Sequence, residues 1–359
     1  SGGATCPSLL LEPSRTNVFA TSEGYYDWSK TGATITVNQG LSPEGVNNAA
    51  LFEATVTAQP RIENNVANVS SVYSTSIFVK KVVGDYFGVG WYQADVGNSF
   101  AKFNIAEGTF DGYDGNELTS ADIVPYGNGW YRISVKLSTT SSTSKSGVKF
   151  VAMSSASAGA GNIGDQFLLY GAQLELGSYK TSYIPTYGVS QTRAGEACYL
   201  QDTDVHSSDS GTIFFEVGDY KTNTSANGFN KILVFDEVAT TNLDNAIYFE
   251  EYAGNNTFLL RKGGSTLLQS TPNYQDLRGS KIAIKWSSQE AKIFIDGVLN
   301  NTYTGDASLD IQYFGFDNPY NGNIVSTIKM KQLLGFPTAL SDLDLAILTG
   351  ATTYNTFAA

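Results

Sequence analysis

A series of short segments in which apolar and polar residues alternate is the feature that most restricts the possible folds of this chain. In the first half the segments recur about every ten to fifteen residues and are separated by Gly, Asn, Ser or Pro. They include the runs "ATITVNQ", "VYSTSIFVKKV", "DYFGVGWYQADV", "GWYRISVKLST", "SGVKFVAMSS" and "DQFLLYGAQLEL". This spacing is typical of sandwiches and jelly rolls. The 36 Gly, 21 Tyr and 20 Phe likewise favour strands joined by tight turns.

A second series of strand-like segments includes "GTIFFEVGDY", "GSKIAIKWSS" and "EAKIFIDGVLNNTYTG", where Asp-Gly predicts a tight hairpin turn. Only "TALSDLDLAILTG" predicts a helix, with Ser341 as its N-cap and Gly350 after its last apolar residue. A length of 359 residues corresponds to about two domains. We therefore predict an all-β fold of two antiparallel β-sandwich (jelly-roll) domains, residues 1–190 and 191–359, with a short C-terminal helix. The predicted hinge is residues 187–200.

Charge and hydropathy argue against two classes of partner. The formal net charge is -12 with a pI of about 4.6, and no block rich in Lys or Arg interrupts this negative field. Phosphate backbones and anionic membrane surfaces would be repelled. Membrane insertion is not expected either, because a spanning helix needs an apolar run of about 18 residues or more, and the sequence has none.

Four blocks follow one another in the first half: "CPSLLLEPSRTN", "YYDWSKTGATIT", "YGNGWYRISV" and "YGAQLELGSYKTSYIPT". They resemble the carbohydrate-binding-module-like jelly rolls of bacteriophage tail and tail-fibre proteins. The second half contains the blocks "GTIFFEV", "KIAIKW", "KIFIDG" and "KQLLGFPTALSDLDLAIL". In these blocks it is similar to the concanavalin A-like (LamG-type) lectin/glucanase domain.

The resemblance implies a non-enzymatic, glycan-recognising region of a phage tail or tail fibre. Its partners would be a bacterial surface polysaccharide and other tail proteins, and its location the virion surface or otherwise the extracellular space. Three alternatives remain open. The chain is then an accessory carbohydrate-binding region of a secreted polysaccharide-degrading enzyme, a glycan depolymerase, or a structural spacer that binds no sugar.

Sugar recognition requires flat aromatic platforms together with amides and carboxylates that bond the hydroxyl groups. In "YFGVGWYQADVGN" the alternation places small residues and tyrosines on one face of a strand and bulky apolar residues on the other. If the bulky face is core, Tyr86 and Tyr92 face outward. We predict a ligand-binding patch of Tyr86 and Tyr92 with the neighbouring Gln93 or Asp95. Trp28 and Trp130, in contrast, are predicted to be core residues.

No catalytic or metal centre is predicted. The single histidine, His206, lies in the polar run "DTDVHSSDS", which indicates an exposed and inactive side chain. Jelly rolls of the resembling type often bind a structural calcium through acidic residues of the last strand. Here that place reads Gly171-Ala172-Gln173, so neither calcium nor another cofactor is supported.

The two cysteines form one further expectation. Cys6 precedes the first strand of domain one, and Cys198 follows its last strand and tail. Because the first and last strands of a jelly roll are commonly neighbours, Cys6 and Cys198 are expected to lie close together. They would form either a disulfide or a pair of buried thiols.

Overall fold

In a computed structural model the chain is an all-β protein with one short helix at its C-terminal end. The structure describes residues 9–66, 71–93, 97–138, 146–155, 159–196, 199–201, 209–222, 230–237, 243–252, 255–270, 277–316 and 326–350. Cys6, Asp95, Cys198 and His206 lie outside the described residues, so the expectations that concern them stay predictions.

The chain forms two compact units. Its first residues, up to Ser14, do not belong to the unit that follows them in sequence. The N-terminal unit comprises Arg15–Arg193. The C-terminal unit combines the residues up to Ser14 with those from Ala194 onwards. The first strand, β1 (Leu9–Leu11), is therefore part of the C-terminal unit, whereas the sequence analysis placed it in a domain of residues 1–190.

Two antiparallel sheets and one short strand pair make up the described part of the N-terminal unit. One sheet has the order β10-β9-β8-β13-β6-β3 and the other the order β11-β12-β7-β14-β5-β4, and β15 pairs with β2. The strands are β2 (Arg15–Asn17), β3 (Ser29–Thr31), β4 (Ala33–Gly40), β5 (Ala49–Ala54), β6 (Arg61–Val66), β7 (Val72–Val83), β8 (Tyr86–Gln93), β9 (Gly97–Asn104), β10 (Thr109–Asp114), β11 (Leu118–Pro125), β12 (Trp130–Ser138), β13 (Ser146–Met153), β14 (Gln166–Leu176) and β15 (Gln191–Arg193).

The core of the N-terminal unit lies between these two sheets, as the alternation predicts. Along β8 the side chains of Phe87, Val89 and Trp91 point into it, and alternate residues of the opposing strands meet them. Trp28 belongs to the same core and packs with its ring centroid 4.7 Å from that of Phe19. The predicted burial of Trp28 is confirmed, since 3% of its surface is exposed.

A segment that we call the strap, residues 177–187, lies across the outer face of the β11-β12-β7-β14-β5-β4 sheet. Lys180 donates to Ser134 of β12, and the backbone of Thr181 accepts from Arg132 on the same strand at 2.8 Å. Tyr183 packs on Tyr170 of β14 with ring centroids 5.4 Å apart. The strap is thus built into the N-terminal unit.

Two buried side-chain amides hold the strap in place by hydrogen bonding to backbone groups that have no strand partner. Gln173 accepts from the backbone N–H of Ile184 at 2.6 Å and donates to the carbonyl of Ser182 at 3.3 Å. Asn17 donates to the carbonyls of Ile184 and Ala172 and accepts from two backbone N–H groups. Each amide therefore closes a gap where no strand partner exists, which keeps the buried backbone groups paired.

Gly171 shows why the last strand departs from the acidic pattern expected of a calcium site. It sits at a bulge in β14 with φ of 61°, a conformation that favours glycine. A Cβ at this position would lie 3.0 Å from Phe78 and 3.1 Å from Tyr183. The sequence Gly171-Ala172-Gln173 serves the packing of the strap.

Two further antiparallel sheets make up the described part of the C-terminal unit, in the orders β1-β26-β17-β22-β23-β24 and β16-β25-β18-β19-β20-β21. The elements are β16 (Tyr199–Gln201), β17 (Gly211–Thr222), β18 (Asn230–Asp236), β19 (Ala246–Tyr252), β20 (Asn255–Lys262), β21 (Ser265–Gln269), β22 (Lys281–Trp286), β23 (Glu290–Ile295), β24 (Val298–Thr304), β25 (Tyr313–Phe316), β26 (Ser326–Phe336) and α1 (Asp342–Thr349). In β1, Leu11 pairs with Ile328 of β26 and joins the core between these sheets.

The hairpin and helix predictions for this unit are confirmed. Asp296 and Gly297 connect β23 to β24, both with positive φ. Ser341 accepts from the N–H of Asp344 at the start of α1, and Gly350 ends the helix. Among the described residues there is no helix with the length and hydrophobicity needed to cross a bilayer.

Four charged side chains fix α1 to the outer face of β22 and β23. Asp342, in the first turn, pairs with Lys285 and, at 2.6 Å, with Lys292. Glu290 binds the same two lysines at 2.7 and 3.0 Å. Because each carboxylate shares both lysines, the helix is held by a connected network rather than by an isolated surface pair.

Candidate functional site

The outer surface of the β10-β9-β8-β13-β6-β3 sheet carries the two predicted tyrosines, and we call it the tyrosine face. Tyr86 and Tyr92 stand at the two ends of β8, and both are half-buried. The other side chains that define this face are Arg61, Glu63, Asn65, Asn98, Lys102 and Lys149.

Strand register places an amide on each side of Tyr92. In one row across the sheet, Asn65 of β6 is opposite Gly147 of β13, Gly147 is opposite Tyr92, and Tyr92 is opposite Asn98 of β9. Both asparagines are exposed. Gly147 has no side chain, and the Glu63 carboxylate takes the space above it, since a Cβ at that position would lie 2.7 Å from Glu63 Oε1. The row therefore presents an aromatic ring between planar hydrogen-bonding groups.

The surface between the two tyrosines is flat and filled. The glycines at 88 and 90 do not leave an open groove, because Phe100 and Met153 lie over them. A Cβ at Gly90 would be 2.9 Å from the ring of Phe100. Together with Val151 these two side chains form a small buried cluster against Tyr86. The face therefore offers a filled platform between the two tyrosines, with no open groove at these two glycines.

Each tyrosine ring has an ammonium group next to it. The Lys149 nitrogen lies 4.8 Å from the centroid of the Tyr92 ring, and the Lys102 nitrogen lies 5.3 Å from that of Tyr86. Lys149 also donates to Asn98 Oδ1 at 2.6 Å. Burial lowers the pKa of Lys149, an effect that the nearby Glu63 carboxylate partly opposes. The platform therefore combines aromatic surface with positive charge.

The predicted patch is only partly assembled by the structure. Tyr86 and Tyr92 share the tyrosine face, as expected. Gln93 does not belong to it, and 0% of the Gln93 surface is exposed. Because successive side chains of a strand point to opposite sides, Gln93 lies on the same side of β8 as Trp91 and on the opposite side from Tyr92. The inclusion of Gln93 is corrected for this reason. Asp95 lies outside the described residues.

The sequence analysis missed the residues that register brings to the face, namely Asn65, Asn98, Glu63 and Lys149. They come from three strands that are distant in sequence, and no local motif marks them. Alternation indicates that each points away from the core, but only the pairing of β6, β13, β8 and β9 shows that they are neighbours. An isolated lysine in the apolar run "VKFVAM" of β13 was the one available signal.

The strap covers the central strands of the opposite outer face of the N-terminal unit. Under the strap, Trp130 clusters with Ala49, Phe78 and Tyr170 and donates its indole N–H to the carbonyl of Leu41 at 3.1 Å. With 2% of its surface exposed, Trp130 is buried as predicted. Tyr26, Tyr126 and Tyr187 are exposed tyrosines of the same unit.

A separate polar cluster beside the strap contains Tyr183, Glu23 and Ser22. Tyr183 donates to Glu23 Oε1 at 3.0 Å and is 2.6 Å from the hydroxyl of Ser22. Burial raises the pKa of Tyr183 and of Tyr170, and the negative charge of Glu23 adds to both shifts. These phenols serve as protonated donors that fix the strap to the turn around Glu23.

The described residues show no group of three or more His, Cys, Asp or Glu side chains that could bind a metal ion. The two acids of "FEVGDYK" in β17, Glu216 and Asp219, are engaged in ion pairs. Glu216 binds Lys331 at 2.9 Å, and Asp219 binds Arg278 at 2.9 Å. Both carboxylates have cationic partners on the protein itself.

No protein-family model matches the chain, and no curated protein matches it significantly. Several solved structures are similar over part or all of its length. The CBM40 domain of the Ruminococcus gnavus IT-sialidase, bound to α2,3-sialyllactose, is 21% identical with a TM-score of 0.29, over 40% of this chain and 83% of that one. A leech intramolecular trans-sialidase is 22% identical with a TM-score of 0.31, over 41% and 24% of the two chains. Domains LG4-5 of mouse laminin α1 are 9% identical with a TM-score of 0.27, over 98% and 96%. Similarities at this level do not assign the chain to a family.

Proposed function

We propose that the N-terminal unit binds glycans through the tyrosine face and catalyses no reaction. The observation that carries this proposal is the asymmetry of the two outer faces. One is covered by the strap, whereas the other presents Tyr92 between two exposed amides. Aromatic rings pack against the C–H faces of pyranoses, and amides bond their hydroxyls.

Weak binding at a shallow site suits attachment through many copies. A flat platform buries less of a ligand than a cleft does, so a single site would have an affinity in the millimolar to micromolar range. Repeated display multiplies such an affinity without any new contact. We therefore propose that the chain belongs to a phage tail or tail fibre and attaches it to bacterial surface polysaccharide. The ordered motifs of the first half support this setting.

A glycan array followed by titration of the full chain tests the binding proposal. Tyr92→Ala should weaken retention of any bound glycan at least about tenfold. Tyr26→Ala is the matched control, because Tyr26 is an exposed tyrosine of the same unit that lies outside the tyrosine face. Equal retention by both variants would contradict the assigned face. Absence of any bound glycan would favour the spacer alternative, and release of reducing ends from a bound glycan would favour an enzyme.

A further inference from the structure

Within the part of the chain that the structure describes, Lys149 differs from the other cations of the tyrosine face in having no ion-pair partner. Arg61 is paired with Glu63 at 3.0 Å, and Lys102 with Asp111 at 2.9 Å. Among the described residues, no carboxylate lies within salt-bridge distance of the Lys149 nitrogen, which instead contacts the Tyr92 ring and Asn98 Oδ1. Only 4% of the Lys149 surface is exposed. The nearby Glu63 carboxylate offsets this burial only in part and is itself paired with Arg61, so the ammonium is incompletely compensated.

The neighbouring amide is oriented to assist an anion. Because Asn98 Oδ1 accepts from Lys149, the two N–H groups of the same amide point elsewhere, and Asn98 is exposed. An anionic oxygen beside Tyr92 would thus meet donors from both an ammonium and an amide. Charge-assisted hydrogen bonds of this kind are shorter and stronger than neutral ones.

We propose that the tyrosine face is selective for a carboxylated sugar residue, whose ring packs on Tyr92 and whose carboxylate binds Lys149 and the amide N–H of Asn98. This inference rests on the proposed glycan-binding function and specifies its ligand class. Hexuronic acids and nonulosonic acids both supply such a carboxylate. The negative charge of the whole chain does not prevent this, because exposed charges farther away than about 8–10 Å are largely screened at physiological salt.

The experiment compares each acidic glycan with its own neutral form. Polygalacturonate, alginate and polysialic acid are titrated into the full chain, intact and after reduction of their carboxyl groups to alcohols. The wild type should bind at least one intact polymer about ten to a hundred times more tightly than its reduced form. Polygalacturonate and alginate report on hexuronic acids, and polysialic acid reports on nonulosonic acids. The preference should shrink as salt is raised.

Matched variants separate the role of Lys149 from that of general positive charge. Lys149→Met should abolish the preference for the intact polymer, and Lys149→Arg should retain most of it. Lys262→Met is the control, since Lys262 belongs to the C-terminal unit and its ammonium has Asp306 as its partner at 2.8 Å. If Lys149→Met fails to fold, Asn98→Asp gives the same readout, because it supplies an internal carboxylate to Lys149 at an exposed position.

Two results would overturn the inference while leaving the proposed function intact: equal affinity of the wild type for intact and reduced polymers, or an unchanged preference in both Lys149→Met and Asn98→Asp. Failure of the proposed function is distinguishable from these, because then no glycan, acidic or neutral, would be retained in a Tyr92-dependent manner.

Discussion

Aromatic residues lie in different environments in the N-terminal unit, and the face of the sheet on which each one lies determines its environment. Tyr92 is half-buried at the surface, whereas Trp130 is enclosed between the sheet and the strap and is hydrogen-bonded to Leu41. Both are aromatic residues within quoted motifs, and composition does not distinguish them. Neighbours do, because a ring surrounded by other rings contributes to stability.

Substitution of these two residues should separate binding from stability. Trp130→Ala should lower the free energy of unfolding by about 3–5 kcal/mol, because it leaves a cavity under the strap and an unpaired carbonyl at Leu41. Tyr92→Ala should shift the melting temperature by no more than a few degrees. Thermal melting of both variants by circular dichroism measures this. If Tyr92→Ala unfolds the unit and Trp130→Ala does not, the two faces have been assigned the wrong way round.

At the scale of elements, the strap should make the N-terminal unit sensitive to alkali. The pKa values of Tyr25, Tyr170 and Tyr183 are raised, by burial in each case, so these groups remain protonated in the folded state. The corresponding stability is fully present below the unfolded-state pKa of about 10 and is lost as pH rises above it. Absorbance at 295 nm should therefore show a set of tyrosines that ionises only together with unfolding. A smooth titration of every tyrosine near pH 10 with the fold intact would argue against the strap contacts.

The attachment of α1 should weaken at low pH rather than at high pH. Hydrogen bonding from Lys285 lowers the pKa of Glu290; burial alone would raise the pKa of Asp342, but hydrogen bonds from Lys285 and Lys292 outweigh it and lower that pKa too. Carboxyl groups with a lowered pKa stabilise the fold above their unfolded pKa, and this contribution is lost as pH falls through the folded value.

Asp342→Asn should accordingly destabilise the protein by about 1 kcal/mol at pH 7, and the difference from wild type should vanish below about pH 3. Urea titrations at several pH values measure it. Asp344→Asn is the matched control, because Asp344 lies in the same turn but its carboxylate bonds the hydroxyl of Ser341 instead of a lysine. A pH-independent effect of Asp342→Asn would show that the network does not hold the helix.

Local sequence predicted the elements well and their partners poorly. Alternation identified β8 and its inward residues, Asp-Gly identified a hairpin, and Ser341 with Gly350 marked the ends of α1. These signals are local, since they depend on neighbouring dihedral angles and on the side of a strand. The association of Asn98 with Lys149 is not local, because it follows from strand register, which short-range patterns do not encode.

At the scale of the whole molecule, the principal difference from expectation is that the units are nested rather than consecutive. The chain starts in the C-terminal unit with β1, forms all of Arg15–Arg193, and then returns. The motif "PSLLLEP" read as the first strand of the jelly roll because it precedes that fold in sequence. A three-residue apolar strand carries no information about which of two sheets it will join.

Nesting predicts that a change near the N-terminus affects the far end of the sequence. Leu11→Ala should destabilise the C-terminal unit by about 2–4 kcal/mol, because 8% of Leu11 is exposed and it packs in the core of that unit. Hydrogen exchange measured by mass spectrometry should be faster in β26 and unchanged in β8. Leu10→Ala, at a position that is 36% exposed in the same strand, is the control and should have little effect. Faster exchange in β8 instead of β26 would show that β1 belongs to the N-terminal unit.

The short pair formed by β2 and β15 has a consequence for how such proteins can be rebuilt. Asn17 is opposite Gln191 and Arg15 is opposite Arg193, so the inserted unit leaves and re-enters its host at two points only about 5 Å apart. Domains whose ends are this close can be exchanged as cassettes without stretching the recipient. A different domain with paired terminal strands could be grafted between residues 17 and 191 without changing the sequence of the C-terminal unit.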